Sequence, residues 1–341
     1  MESNLICPAL LVTDSVNQRY FHHLGFAGGV MYVSKKRQVY ISWQVRGEAV
    51  LPEAVELLRI EQKDLGCEVK RLLKEEGIAY LAVEKTIPFN VYSLVKTEIE
   101  DIRIAAEDVI LNLREVKSAW ELKQIEKACE ITDYAFQKVL SFIKPGVSEL
   151  EIAAFLEYQM RLQGAEESNR TIVAAGRNSA YPHHWPENYQ IQTGDFVTMD
   201  YGCTVNGYHS DLTRTIVVGK PTERQRRIYD LVLTAQQAGI DGLRPGAEGK
   251  EIDRIARNII DATEFKGSFI HGLGHGIGLD IHEGTGLGKE ESRILKPGMV
   301  VSIEPGIYLE NDCGVRIEDI AVVNEKGARL LEHSAKQFIA L

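Results

Sequence analysis

The sequence lacks the features that mark membrane proteins, secreted proteins and nucleic-acid binders. No apolar stretch approaches the roughly 20 residues needed to span a bilayer, and the amino terminus has neither the charged nor the apolar region of a signal peptide. Long runs of Lys or Arg are missing and the formal net charge is −10, which does not fit a nucleic-acid-binding surface. We therefore expect a soluble cytoplasmic protein whose partners are neither membranes nor nucleic acids.

Cysteine is also scarce. The five cysteines are widely spaced and form no C-x-x-C pair, which argues against a disulfide framework and against a structural zinc site. Cys203 lies close to Asp200 in sequence, but strand alternation puts the two side chains on opposite faces. No His or acid in that segment is placed to activate the thiol, so we expect Cys203 to be packed and not nucleophilic.

The sequence does contain two regions of different pattern. In the first region, apolar runs predict strands at 9–12, 29–34, 38–42 and 79–83 and a helix at 64–76. Near residue 115 a long helix begins, where Ser118 and Glu121 have the spacing of a capping box. We place a domain boundary just before this helix, which gives domains at 1–115 and 116–341.

The second region contains a weak internal repeat. Residues 144–152 (KPGVSELEI) recur 100 positions later as 244–252 (RPGAEGKEI), and both copies lie between two predicted helices. The predicted strands at 194–200 and 298–304 also resemble each other, because each has a hydroxyl residue two positions before a terminal carboxylate. We therefore expect two similar α+β halves related by a pseudo-twofold axis.

Each half carries a pair of acids around a predicted hairpin. In the first half, Asn206-Gly207 predicts a two-residue turn. The register that follows puts Asp200 opposite Thr213, so that Asp200 and Asp211 are diagonal neighbours on one face.

In the second half, Glu304 and Glu318 flank the segment 311–314, and a three-residue loop centred on Asp312 would give the same diagonal relation. Four carboxylates in one site would repel one another at pH 7, because like charges raise each other's pKa. Two divalent cations would remove that repulsion.

Between these acids lies a segment rich in glycine and histidine, residues 270–283 (IHGLGHGIGLDIHE). Three histidines and four glycines within twelve residues favour neither a helix nor an ordinary strand. The segment is not an H-E-x-x-H motif, and its glycines do not match a dinucleotide-binding fold. Glycine at this density indicates a backbone that passes close to another group.

Together these segments resemble the pita-bread metallopeptidases, which include methionine aminopeptidase, Xaa-Pro aminopeptidase and prolidase. The resemblance covers 116–341. Its carriers, in order along the chain, are 199–202 (MDYG), 210–215 (SDLTRT), 274–278 (GHGIG), 302–306 (SIEPG) and 315–319 (VRIED). It implies an α+β fold with a duplicated pita-bread C-terminal domain and a smaller α/β, creatinase-like N-terminal domain.

The resemblance also implies five metal ligands. From the matching motifs of the family, Asp200 is expected to chelate one metal ion, and Asp211 and Glu318 are expected to bridge two. His275 and Glu304 then complete the shell of the second ion. Four carboxylates and one imidazole form a hard site that favours Mn²⁺ or Co²⁺, with Zn²⁺ left open. Creatinase shares the architecture but not these ligands.

The segments at 278–283 and 176–183 resemble the proline-specific branch of the family. That likeness implies that His183, His271 and His282 line the substrate pocket and that Arg316 orients the substrate or the carboxylates.

The corresponding mechanism makes Glu304 the proton shuttle to the leaving nitrogen, while His282 and His183 hydrogen-bond the tetrahedral intermediate. Because His184 adjoins His183, only one of the two can point inward from an extended segment. His22, His23, His209 and His333 belong to no motif, and we expect them at the surface or behind the site.

The expected function is therefore that of a dinuclear-metal aminopeptidase, a homodimer by analogy, that hydrolyses the N-terminal Xaa-Pro bond of peptides. A strict Xaa-Pro dipeptidase is the alternative within the enzyme class. A non-catalytic binding module is the alternative of another class, although such modules generally lose several ligands and this chain retains all five.

Overall fold

The computed structural model describes residues 7–22, 28–43, 51–99 and 103–341. Its contacts divide the chain into two compact units, Met1–Arg114 and Glu115–Leu341. None of the helices in the described residues has both the length and the apolar content needed to cross a membrane.

Unit 1 is built on a mixed sheet. Its strands are β1 Ala9–Val12, β2 Gly29–Ser34, β3 Gln38–Ser42, β4 Val55–Arg59, β5 Tyr80–Glu84 and β6 Arg103–Glu107, and its helices are α1 Ser15–His22, α2 Leu65–Glu76, α3 Phe89–Glu98 and α4 Val109–Glu115. In the described residues the strand order is β4-β3-β2-β1-β5-β6. Alternate residues of β1 enter two different cores, one shared with α2 and α3 and the other with α1 and α4. Both faces of the sheet are thus covered.

The predicted strands of unit 1 are confirmed, with the fourth displaced by one residue to Tyr80–Glu84. The predicted helix is α2, and it ends at Gly77, whose φ of 71° lies in the left-handed region that glycine adopts without strain.

Unit 2 has two halves with the same order of elements, a helix pair followed by strands. The first half contains α5 Ala119–Val139, α6 Glu149–Leu162, β7 Ile172–Ala175, β8 Phe196–Tyr201, β9 Thr204–Val205, β10 Tyr208–His209 and β11 Leu212–Val217. The second contains α7 Glu223–Gly242, α8 Gly249–Asp261, β12 Val300–Ile303, β13 Gly306–Leu309, β14 Cys313–Arg316, β15 Asp319–Asn324 and β16 Gly327–Leu330.

The repeated turns between the helices of each pair have the same conformation, since φ is 89° at Gly146 and 87° at Gly246. The capping box predicted at Ser118 and Glu121 is present at the start of α5. Each half has its own core, formed where its helix pair packs on its strands. The expected duplication is therefore visible in elements, turns and cores alike.

The first hairpin has the predicted register. Val205 pairs with Tyr208, and Thr213 pairs with Asp200. Extending this ladder by one residue beyond Leu212 puts Asp211 diagonal to Asp200, on the same face.

The second hairpin differs from the prediction. Leu309 pairs with Cys313, so the loop is centred on Asn311 and not on Asp312. Asn311 has a φ of 61°, a left-handed conformation that asparagine tolerates better than most residues. The ladders on both sides share one register, which places Glu304 directly opposite Glu318 and not diagonal to it.

Candidate active site

The two halves of unit 2 line one cavity of about 660 Å³. Both halves contribute acids to its wall, and the glycine- and histidine-rich segment contributes imidazoles. All nine residues predicted for the site line this cavity: His183, Asp200, Asp211, His271, His275, His282, Glu304, Arg316 and Glu318. Residues that are up to 135 positions apart in sequence are thus brought to a single site.

Asp211, His275 and Glu318 form the tightest group. Each offers one ligand atom, and these atoms all lie within 4.8 Å of one another. Asp211 and Glu318 are buried, whereas His275 is partly exposed to the cavity. This is the kind of donor group that can hold a metal ion.

Strand β11 fixes Glu318 against the first half. The Thr213 hydroxyl donates to Glu318 Oε2 at 2.6 Å, and the Glu318 amide donates to the Thr213 carbonyl oxygen at 3.1 Å. Because Thr213 also pairs with Asp200, one residue of β11 sets the position of acids from both halves.

Ser302 fixes the acid and the imidazole of the second half. Its hydroxyl donates to Glu304 Oε1 at 3.1 Å and accepts from the His275 amide at 3.0 Å. The His275 Nε2 lies 3.3 Å from Glu304 Oε1. A Cβ on Gly274 would come within 1.9 Å of the Ser302 carbonyl oxygen, so the predicted close approach of the glycine-rich backbone is confirmed.

The carboxylates of this site disfavour one another's charge. Burial and the neighbouring Asp200 raise the pKa of Asp211 well above its usual range. Burial and Asp211 do the same to the pKa of Glu318, and burial also raises the pKa of Asp200.

Glu304 is the exception. Burial raises its pKa, but the hydrogen bond and charge of His275 outweigh this and lower it to about 2. Burial lowers the pKa of His275, yet Glu304 raises it by more. Each member of the pair thus favours the charged form of the other, and a metal ion bound to His275 would take the place of the imidazole proton.

The residues present fit divalent cations. Glu318 Oε1 is buried and has no hydrogen-bond partner, although a buried carboxylate oxygen is costly to leave unpaired. Cations bound between the acids would satisfy this oxygen and reverse the raised pKa values of Asp211 and Glu318.

Arg316 lies behind the acids and is 3% exposed. It donates through Nη2 to Asp200 Oδ2 at 2.6 Å and through Nη1 to the Tyr308 hydroxyl at 2.8 Å. The same hydroxyl lies 2.9 Å from His271 Nε2. Tyr308 was not identified from the sequence, although it lies one strand alternation beyond Gly306, which leaves room for its ring.

The structure distinguishes His183 from His184. His183 lines the cavity, whereas His184 Nε2 lies 2.8 Å from Glu149 Oε2. The His282 ring packs edge-on against His275, with the centroids 3.9 Å apart. Burial lowers the pKa of His271 and of His282, and the charge of the nearby His275 lowers the pKa of His282 further.

His209 also lines the cavity, which the sequence analysis did not anticipate. Its Nδ1 lies 2.6 Å from Asn169 Oδ1. A signal for it was present, because His209 precedes Asp211 by two positions and strand alternation would put both on one face. His333 is exposed, whereas the His22 side chain and His23 lie outside the described residues.

Cys203 is fully buried, and burial raises the pKa of its thiol to about 11. The prediction that this cysteine is packed is confirmed. All five cysteines are free thiols, in agreement with the absence of a disulfide framework.

Comparisons with known proteins agree with this picture. The model of metallopeptidase family M24 matches residues 123–325. The chain is similar to an Xaa-Pro dipeptidase of Pyrococcus furiosus, with 43% identity over 265 residues, which is 76% of this chain and 75% of the relative.

Two solved structures have the same fold. An Xaa-Pro dipeptidase from Bacillus anthracis superposes with a TM-score of 0.92 and 39% identity, covering 98% of this chain and 95% of that one. An X-Pro aminopeptidase from Thermotoga maritima superposes with a TM-score of 0.91 and 29% identity, covering 98% of each chain. The expected pita-bread fold with a smaller N-terminal domain is confirmed by these matches.

Proposed function

The chain belongs to metallopeptidase family M24, and on that premise we propose that it hydrolyses the bond between the N-terminal residue of a peptide and a following proline. The observation that carries the proposal is the single cavity lined by all nine residues expected for this activity. The complete set of acids also disfavours the alternative of a non-catalytic binding module.

Two divalent ions would be held by the five residues Asp200, Asp211, His275, Glu304 and Glu318. Asp211 and Glu318, whose ligand atoms lie close together with that of His275, would contribute to holding both ions. The oxygen-rich set favours Mn²⁺ over Co²⁺ or Zn²⁺. When bound, such ions polarise a scissile carbonyl and lower the pKa of a water molecule enough for attack near neutral pH.

Glu304 moves the proton. Its Oε1 is held by the Ser302 hydroxyl, so Oε2 is the oxygen that we assign to proton transfer. It receives the proton from the attacking water and delivers it to the proline nitrogen as the leaving amine departs, which avoids expulsion of an unprotonated amide nitrogen.

His183 and His282 stabilise the developing oxyanion. Both are accessible from the cavity, and an imidazole N–H can donate to the carbonyl oxygen as it becomes negative. Loss of one such donor typically costs about 10²–10³ in rate. His271 and Arg316 both hydrogen-bond to the Tyr308 hydroxyl. This contact holds the His271 ring at the cavity wall, and Arg316 in addition fixes the Asp200 carboxylate.

The relatives carry the names of both dipeptidases and aminopeptidases, so cleavage of the Xaa-Pro bond is the activity that they share. Aminopeptidase action on longer peptides, a homodimeric state and a cytoplasmic location complete the proposal.

The test begins with protein stripped by a chelator and reloaded separately with Mn²⁺, Co²⁺ or Zn²⁺. Hydrolysis of an Xaa-Pro dipeptide and an Xaa-Pro-Yaa tripeptide is then followed for wild type, His275→Ala and the exposed-site control His333→Ala. We expect metal-dependent cleavage of both peptides by wild type and control, and none by His275→Ala. If no metal restores cleavage of these peptides or of a Met-Ala peptide, the proposal fails.

A further inference from the structure

Arg170 lies on the wall of the cavity, apart from the acids and imidazoles described above. Its guanidinium carbon is 3.8 Å from the centre of the Trp185 ring, and its Nη2 donates to the His183 carbonyl oxygen at 2.8 Å. Stacking on one face and a hydrogen bond at one edge fix the plane of the guanidinium. The side chain is therefore ordered although it is exposed to solvent.

The charge of Arg170 is not neutralised by a neighbouring acid. Within the described residues no carboxylate oxygen lies within 4.0 Å of its guanidinium nitrogens, and this includes Glu167 on the same wall. Arg316 also lines the cavity, but it is buried and forms an ion pair with Asp200. An oriented guanidinium with its remaining N–H groups free is a site for a carboxylate.

A dipeptide substrate offers one free carboxylate to this group. In an Xaa-Pro dipeptide, the proline carboxylate is attached to the ring on the leaving side of the scissile bond. Asp200, Asp211, Glu304 and Glu318 offer no partner to this group, because carboxylates carry the same sign of charge when ionised and these four are the acids proposed to hold the metal ions. The guanidinium of Arg170, next to His183 on the cavity wall, offers the proline carboxylate an oriented positive charge.

We propose that Arg170, stacked on Trp185, binds the free carboxylate of proline, so that Xaa-Pro dipeptides have a lower KM than peptides that are amidated or extended after proline, which the enzyme also cleaves. The inference rests on the proposed Xaa-Pro activity and assigns to it a substrate class. Arg170 is a specificity residue and takes no part in bond cleavage.

The test compares two substrates that differ only in this charge, Leu-Pro and Leu-Pro amide, with Leu-Pro-Gly as an extended substrate. Arg170→Gln removes the charge, Arg170→Lys keeps it without the planar fork, and Trp185→Leu removes the stacking surface. Arg227→Gln is the control, because Arg227 is an exposed arginine paired with Glu264 and does not line the cavity. The values of kcat and KM are measured for every pair at saturating metal.

Arg170→Gln is expected to raise KM for Leu-Pro by about 10- to 100-fold with little change in kcat, since a hydrogen-bonded charge pair is lost. The kinetics of Leu-Pro amide should change by less than about threefold, and Arg170→Lys and Trp185→Leu should give intermediate values of KM for Leu-Pro.

Equal effects of Arg170→Gln on the acid and the amide, or no effect on either, would overturn this inference and leave the proposed function intact. A wild-type protein that cleaves none of the three peptides overturns the proposed function and this inference with it.

Discussion

The two halves of unit 2 use one framework for different chemistry. In the first half, β7 runs antiparallel to β8, with Ile172 opposite Asp200 and Ala174 opposite Thr198. Ala174 is buried and apolar, so this strand gives the site no ligand. Its contribution is to hold β8, the strand that contains Asp200.

In the second half, the glycine-rich segment takes the place of β7 beside β12. The Glu304 amide donates to the Leu273 carbonyl oxygen at 2.7 Å, and the Ser302 amide donates to the His275 carbonyl oxygen at 2.8 Å. His275 therefore occupies the position that Ala174 has in the first half. At equivalent positions of the two halves, histidine in place of alanine therefore provides the single imidazole of the predicted ligand set.

The acid pairs differ as well. Asp200 and Asp211 are diagonal neighbours, whereas Glu304 and Glu318 lie directly opposite each other. The acids of the second half are glutamates, whose side chains are one methylene longer than those of the aspartates in the first half. A duplicated fold can thus supply unlike ligand geometries to one site.

The largest effect is expected for Glu318→Gln, which breaks the acid pair of the second half. Metal-dependent hydrolysis should fall by about 10³-fold or more, because a carboxylate that we propose to hold both ions is lost. The melting temperature of the chelator-treated protein should stay the same or rise, since one of four crowded carboxylates is neutralised. Glu310→Gln, an exposed change in the same hairpin, is the control and should alter neither quantity.

A marked fall in the melting temperature of metal-free Glu318→Gln would show that this acid is held for stability, and that the two halves do not differ in the way described.

Arg316→Lys tests the link between the halves. Arg316 belongs to the second half but orients Asp200 of the first, and lysine keeps the charge without the fork that also reaches Tyr308 and Thr213. The value of kcat/KM should fall by about 10²-fold and the free energy of unfolding by about 1–3 kcal/mol. Steady-state kinetics and urea denaturation measure the two.

Arg224→Lys is the matched control for that change. Arg224 pairs with Asp312 at 2.6 Å on the surface of the same half, where both side chains are about half exposed. Surface ion pairs contribute about 0–1 kcal/mol, so this variant should behave like wild type. Similar losses in both variants would contradict the role given to Arg316.

The sequence alone predicted much of the site, because its strongest signals are local. The Asn206-Gly207 turn fixed the register of the first acid pair, and the glycines of the histidine-rich segment indicated its close packing. The second register was missed because either Asn311 or Asp312 could centre a three-residue loop, and only the structure shows which takes the positive φ.

Other features depend on contacts that are distant in sequence. Tyr308 is recognisable only once Arg316 and His271 are seen to share its hydroxyl. The inward orientation of His183 depends on Glu149, 34 positions earlier in the chain, which holds the neighbouring His184. Neither follows from periodicity.

A smaller effect is expected for Glu332, which joins the halves away from the cavity. Its Oε1 lies 3.1 Å from Cys129 Sγ of the first half, and its Oε2 accepts from the Ile320 amide of the second at 2.6 Å. Burial and the charge of Asp319 raise the pKa of Glu332 well above its usual range. A raised carboxyl pKa stabilises the fold fully below the unfolded pKa, and this stabilisation is lost as pH rises through the folded pKa.

Glu332→Gln removes this proton linkage. The free energy of unfolding should therefore fall less steeply with rising pH in the variant, by up to about 1.4 kcal/mol per pH unit between the usual and the raised pKa. Urea denaturation of both chelator-treated proteins from pH 5 to pH 9 measures the slopes. Parallel slopes would show that Glu332 does not change its protonation on unfolding.

We propose above that acids from both halves and one imidazole hold two divalent ions. Equilibrium dialysis of stripped protein against Mn²⁺, followed by elemental analysis of metal per chain, tests it without reference to any substrate. We expect two ions per wild-type chain and at most one for Glu318→Gln. One ion or none in the wild type, or two retained by the variant, would contradict it.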